Sequence, residues 1–260
     1  MADVKQREMG WGEDPRDDEV RVDAAGGVDI RTGDEGAIHR MSVFVFEWPI
    51  RLWHWLMVLI LIVLGVTGWL IFDPLPSTTG EASDSYLMGY IRFIHFGAGY
   101  LLAIAFLFRV YWAFVGNHHA REAFLPPVHK GWWWRGMANM AGWYFFATKE
   151  PRKWVGHSPL AQISMFIFLL FMLFMIFTGF ALYSEGAGAG SWQSTWFGWV
   201  IPLFGQSQDV RVWHHLGLWG LIIFATLHVY AVIREDIMSR QSMISTMISG
   251  ERMFKDDRAA

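Results

Sequence analysis

Residues 212–233 read VWHHLGLWGLIIFATLHVYAVI. The stretch holds no Asp, Glu, Lys or Arg, and its 22 residues suffice to cross a hydrocarbon core of roughly 30 Å at about 1.5 Å per residue. Three more stretches meet the same length requirement. They run approximately over 52–72 (LWHWLMVLILIVLGVTGWLIF), 91–115 (IRFIHFGAGYLLAIAFLFRVYWAFV) and 160–183 (LAQISMFIFLLFMLFMIFTGFALY). Lipid gives the backbone no hydrogen-bond partner, so each span is helical, and the short alternating segments of a barrel are absent. The reading is all-α: an integral membrane four-helix bundle.

Composition agrees. Of 260 residues, 53% are hydrophobic and 17% charged, against about 25% charge in an average soluble domain. Sixteen Trp, 21 Phe and 14 Met suit a chain solvated by membrane lipids. No Cys is present, which excludes disulfides, thiolate zinc sites, Cys-ligated iron–sulfur clusters and covalent c-type haem. A net charge of −3 without a basic stripe gives no reason to expect nucleic acid.

Charge also divides the chain. Residues 1–42 (which include GEDPRDDEVRVDAAGG) read as a flexible polar tail too poor in apolar residues to fold alone, 43–252 as the membrane domain, and 253–260 as a short polar C-terminal tail. The connection from Asp73 to Tyr90 lacks Lys and Arg, as does the one after the third span until Arg211. The middle loop carries Arg121, Lys130, Arg135, Lys149, Arg152 and Lys153, and the C-terminal segment is basic again. The positive-inside rule then places both termini in the cytoplasm, in a bacterial inner membrane. Two aromatic loop segments, 131–146 and 191–205, read as interfacial helices, each alternatively as a docking surface for a partner.

Four of ten histidines, His54, His95, His214 and His228, lie deep in the spans, with His215 beside one of them. A single intramembrane His can simply pack, but polar side chains are expensive in lipid, and several together mark a site or pathway. With the N-terminus inside, His54 and His228 lie near the inner face and His95 and His214 near the outer. His214 and His228 are fourteen positions apart, within roughly 40° of one helix face and ~21 Å along it. The depths pair His95 with His214 and His54 with His228, which suits two non-covalent bis-His haems b better than zinc. His215 points off that face.

Gly65 and Gly68, eleven and fourteen positions after His54, lie at the depth of the outer pair, where a small residue would let the porphyrin approach. Gly99, Gly217 and Gly220 are similarly placed, and small-residue helix packing is the alternative for all five. Arg92 and Arg211 flank the outer site, Arg51 and Arg234 the inner one; these could meet haem propionates or simply snorkel. A His118–His119 pair in the middle loop suggests a metal only weakly.

The segments VFVFEWPIRLWHWL (43–56), MGYIRFIHFGAGY (88–100), RVYWAFVGN (109–117), GHSPLAQ (156–162), FTGFALYSE (177–185), WHHLGLW (213–219) and HVYAVIREDIMSRQSMISTMISGER (228–252) resemble the cytochrome b subunit of membrane-bound nickel–iron uptake hydrogenases. That group is related to the gamma subunit of formate dehydrogenase. The resemblance implies that His54, His95, His214 and His228 are axial ligands of two haems b. It implies partners, the small and large hydrogenase subunits, with the small-subunit membrane helix on the periplasmic side. It also implies a role: electrons pass from the partner's iron–sulfur relay through the outer and inner haems to quinone. The quinone would lie near the inner haem, beside Trp53, Arg234 and Glu235, with Arg51 and Asp236 as further candidates. Two alternatives remain: a stand-alone or formate-dehydrogenase-type dihaem cytochrome b, and a haem-free anchor or transport subunit.

Overall fold

Four long helices carry the fold of the computed structural model, which describes residues 19–22, 28–31, 40–75, 86–149, 152–239 and 241–255. They are α1 (Trp48–Phe72), α2 (Leu87–Val115), α5 (Pro159–Ala187) and α8 (Ser207–Met238). Each contains the apolar span expected from sequence and extends past it. The extensions are polar or aromatic turns that hydropathy does not score. Pro159 opens α5, where its missing N–H is no loss, and Asp209 sits in the first turn of α8, where the helix dipole favours an acid.

These helices turn a great deal of apolar surface outward. Leu59, Ile62, Ile104, Leu107, Ile223 and Leu227 are each more than half exposed. Burying such a side chain is worth about 1.5–3 kcal/mol, so six left in water forgo on the order of 10 kcal/mol, comparable to the net stability of a whole domain. The chain is a membrane helical bundle, and lipid is the solvent that removes this cost.

Chain contacts fall into two units, to both of which each long helix contributes. The second unit comprises Leu52–Tyr111 and Phe168–Ala225. Its core is Met57 and Ile60 of α1, Leu102 and Ala105 of α2, and Phe168, Met172, Ile176 and Phe180 of α5. The α5 set repeats every four residues and so forms one helical stripe. Between α5 and α8, the segment 191–205 forms two short helices, α6 (Trp192–Phe197) and α7 (Val200–Phe204). Ser191 caps α6 by accepting the Ser194 N–H at 3.2 Å.

The first unit holds Met1–Arg51, Trp112–Ile167 and Thr226–Ala260. Strand β1 (Glu19–Val22) pairs antiparallel with β2 (Val28–Arg31), within the segment read as a polar tail. The remainder of that tail, and residues 256–260 of the C-terminal one, lie outside the described residues. Strand β3 (Arg40–Phe44) pairs antiparallel with β4 (Glu251–Lys255), in a register that sets Ser42 opposite Met253. Ordered pairing therefore crosses both expected tail boundaries, because a strand partner more than 200 residues away leaves no local signal. Helix α9 (Met243–Ser249) ends at Gly250, whose φ of 90° favours glycine. The Gly250 carbonyl then accepts from the N–H groups of Val45 at 2.9 Å and Phe46 at 3.1 Å. Around these turns Val43, Val45, Phe46, Ile50, Ala120, Val155 and Phe254 form a second core. Helix α3 (His118–Arg121) and helix α4 (Gly131–Tyr144) complete the unit.

Candidate functional site

In the second unit, His95 of α2 and His214 of α8 lie within electrostatic reach of each other. Each is held by a threonine on another helix. Thr67 Oγ1 of α1 is 2.9 Å from His95 Nδ1, and Thr178 Oγ1 of α5 is 2.7 Å from His214 Nδ1. Both hydroxyls also contact the carbonyl four residues back: Thr67 that of Val63 at 2.6 Å, Thr178 that of Phe174 at 2.7 Å. A carbonyl cannot donate, so the hydroxyl hydrogen goes there and the oxygen must accept from the imidazole. Each Nδ1 therefore carries the proton, and each Nε2 keeps the lone pair a metal requires.

A glycine follows each threonine. A Cβ on Gly68 would lie 3.2 Å from His95 Cε1, and one on Gly179 would lie 3.3 Å from His214 Cε1. The rings thus approach the helix backbone where no side chain obstructs them. The other glycines differ. Gly65 meets Leu218 at an ordinary 3.8 Å, and nothing lies within 4 Å of Gly99. A Cβ on Gly217 or Gly220 would run into Met175 or Phe171, at 2.5 Å in each case, so these two serve helix packing.

Two imidazoles whose Nδ1 atoms are tied to threonines, among apolar side chains and without thiolate, have the chemistry to hold a b-type haem. Two polar side chains nearby, His215 and Arg211, are otherwise engaged. His215 stacks on Phe72 at 3.9 Å and its Nε2 accepts from the Trp219 indole at 3.2 Å. Arg211 pairs with Glu185 at 3.4 Å, and Arg92 is exposed. Beyond these, Phe177, Trp192, Trp196, Phe197 and Trp199 line an open apolar hollow of about 430 Å³.

His54 belongs to the second unit and His228 to the first, so each is described among its own neighbours. His54 lies edge-on to Trp55, with ring centres 5.2 Å apart. The Trp53 indole donates to the Ala105 carbonyl at 2.8 Å, and the buried Arg109 guanidinium sits 5.6 Å from the Trp53 ring centre. His228 is partly buried and within electrostatic reach of His157.

The polar residues expected beside the inner site all have partners in the first unit. Arg51 donates to the Ile248 carbonyl. Buried Arg234 donates to the carbonyls of Trp143 at 2.9 Å and Tyr144 at 3.1 Å, and its charge lies 4.4 Å from the Trp143 ring centre. Those carbonyls end α4, so a cation there satisfies orphan acceptors and the helix dipole together. Glu235 accepts from the Tyr144 hydroxyl at 2.7 Å, and Asp236 accepts from the Ile244 N–H at 3.0 Å. Burial, and then the neighbouring Glu235 charge, push the Tyr144 hydroxyl pKa above its ordinary value, so it stays a donor.

Sequence reasoning passed over Thr67, Thr178 and Gly179, whose signal is a Thr-Gly pair repeated in two spans. It also passed over Glu122, on which three histidines converge. His119 Nδ1 is 2.7 Å from the carboxylate, His157 Nδ1 3.0 Å, and His118 Nδ1 3.5 Å. Burial alone would raise the Glu122 pKa, but the bonds from His118, His119 and His157 outweigh it and hold the carboxyl well below the usual range. Nearby Arg252 donates to the carbonyls of Trp154 at 3.0 Å and Gly156 at 2.6 Å. Burial brings its pKa down to about 10 against the opposing pull of Glu235 and Glu122, so it remains a cation at neutral pH.

Known proteins give the arrangement its context. Residues 45–250 match the prokaryotic cytochrome b561 family. A probable Ni/Fe-hydrogenase B-type cytochrome subunit of Azotobacter chroococcum mcd 1 is 60% identical over 232 residues, covering 88% of this chain and 97% of its own length. Its namesake in Rhizobium leguminosarum bv. viciae is 55% identical over 223 residues, covering 85% and 93%. The probable Ni/Fe-hydrogenase 1 B-type cytochrome subunit of Escherichia coli K12 is 48% identical over 219 residues, covering 83% and 92%. With a match over most of its length, this chain belongs to the prokaryotic cytochrome b561 family, as a membrane b-type cytochrome.

Proposed function

We propose that this chain anchors a periplasmic Ni/Fe-hydrogenase to the inner membrane and conducts electrons from that enzyme's iron–sulfur relay to membrane quinone. Two haems b are the proposed carriers, one between His95 and His214, the other between His54 and His228. The observation that carries the reading is the outer pair: two partly buried imidazoles with Nδ1 tied to threonine and Nε2 left to coordinate. The names of the relatives favour a hydrogenase as electron donor over a stand-alone cytochrome or a haem-free anchor.

Haem b, when bound, supplies a reversible one-electron carrier whose potential answers to its axial ligands and surroundings. The chain supplies the rest. Thr67 and Thr178 fix the ligand rings, Gly68 and Gly179 admit them, and the apolar stripe of α5 excludes water. Reducing a quinone to a quinol takes two electrons and two protons. With both termini in the cytoplasm, as the loop charges imply, protons drawn from that side would make the transfer charge-separating. Near the proposed quinone, Trp53 is fixed by its bond to Ala105, and Arg234 and Glu235 act as anchors of the α4 terminus.

The test is purification from membranes in mild detergent, followed by exposure to hydrogen. Nickel and both hydrogenase subunits should accompany the chain, hydrogen should reduce a b-type alpha band, and added quinone should reoxidise it. A b-type band reduced only by quinol, in a preparation without nickel, would favour the stand-alone alternative. Pure chain without any b-type band would support the haem-free one.

A further inference from the structure

Two threonines on otherwise apolar spans make the same pair of bonds. Thr67 and Thr178 each give their hydroxyl hydrogen to the carbonyl four residues back and take the Nδ1 proton of an imidazole from a different helix. Thr67 of α1 serves His95 of α2, and Thr178 of α5 serves His214 of α8. The glycine after each threonine leaves the imidazole edge room, with 3.2 and 3.3 Å to the place a Cβ would occupy. In the hydrocarbon region a threonine normally satisfies itself by bonding back to its own helix, and both do so here. The second bond, made once to each of two imidazoles, is what packing does not require.

We infer that Thr67 and Thr178 are positioning residues for the haem held by His95 and His214, fixing the tautomer and ring plane of both ligands and setting that haem's potential. The inference rests on the proposed ligation by His95 and His214. An imidazole whose Nδ1–H is accepted by an oxygen is a more basic ligand through Nε2, and a more basic ligand stabilises ferric iron. The two hydroxyls therefore lower the potential below that of unsupported imidazoles. Being neutral, they do so less than carboxylates would. Withdrawing a hydroxyl removes one of the acceptors that fix the ring, leaving His95 with the Leu64 carbonyl and loosening both imidazoles.

The experiment is a redox titration of the full-length protein with its haem, read by the visible alpha band and by low-spin ferric EPR. The component missing from His95→Ala identifies the midpoint to follow. Thr67→Val and Thr178→Val should each move that midpoint upward, alter its EPR signal, and weaken haem retention by about 10–100-fold, the usual cost of losing a partner of a metal ligand. Thr67→Ser, which keeps the hydroxyl, should restore the midpoint and signal. Should Thr67→Val not assemble, Thr178→Val tests the claim from the opposite ring, and Thr67→Ser must still assemble with the wild-type midpoint. Unmoved midpoints in the valine variants, or a serine variant that behaves like valine, would overturn the inference while leaving the ligands in place. Wild-type protein without b-type haem would instead overturn the ligand reading beneath it.

Discussion

At the residue scale, space is as informative as chemistry. Gly68→Ala puts a methyl group 3.2 Å from the His95 ring, tighter than most real contacts, and the ring is held by Thr67 and cannot swing freely. The expected result is reduced haem per chain in Gly68→Ala with the helical circular-dichroism signal intact. Gly65→Ala, whose nearest neighbour is 3.8 Å away, should retain the wild-type ratio. The four histidines were legible because polar side chains inside apolar runs stand out. The threonines were not, since one Thr in a membrane helix reads as a residue bonded to its own backbone. Only the repetition of Thr-Gly at 67–68 and 178–179, at the depth of the outer histidines, could have drawn attention to them.

At the scale of elements, the spans were readable from length and hydropathy, and their polar extensions were not. Arg234 illustrates the difference. From sequence it was a membrane-edge cation free to meet a propionate or quinone, whereas in the fold it closes the C-terminus of α4 and lies against Trp143. That partner is ninety residues away and leaves no mark near Arg234 in the sequence. Arg234→Ala should cost on the order of 2–3 kcal/mol through lost charge-assisted bonds and cation–π contact. Hydrogen exchange would show it as faster exchange over residues 131–144. Arg234→Lys should recover only part of the loss, because one ammonium cannot hold both carbonyls and stack on an indole.

For the whole molecule, the same chain must satisfy lipid along its helices and water beyond them. The β3–β4 pairing, the Gly250 turn and the Glu122 cluster assemble segments that are distant in sequence, which is why they were not legible beforehand, whereas the bundle and the helical segments within 131–146 and 191–205 were. Glu122 makes acid stability a test of that assembly. Its pKa is depressed in the folded state, so its contribution is present above the ordinary carboxylate range of about 4.3 and is lost as pH falls toward the folded value. Wild-type protein should therefore lose thermal stability on acidification below about pH 4. Glu122→Gln should be less stable at neutral pH by roughly 1.5–3 kcal/mol and show a shallower acid loss. Equal pH dependence in the two proteins would count against the cluster.

The most direct test of two imidazole pairs at two depths is haem counting by reduced-minus-oxidised spectrum across four single variants. Wild type should hold two haems b per chain. His95→Ala and His214→Ala should lose one and the same spectral component, His54→Ala and His228→Ala the other. Loss of the same component from His54→Ala and His95→Ala, or retention of both haems in any of the four, would contradict the account.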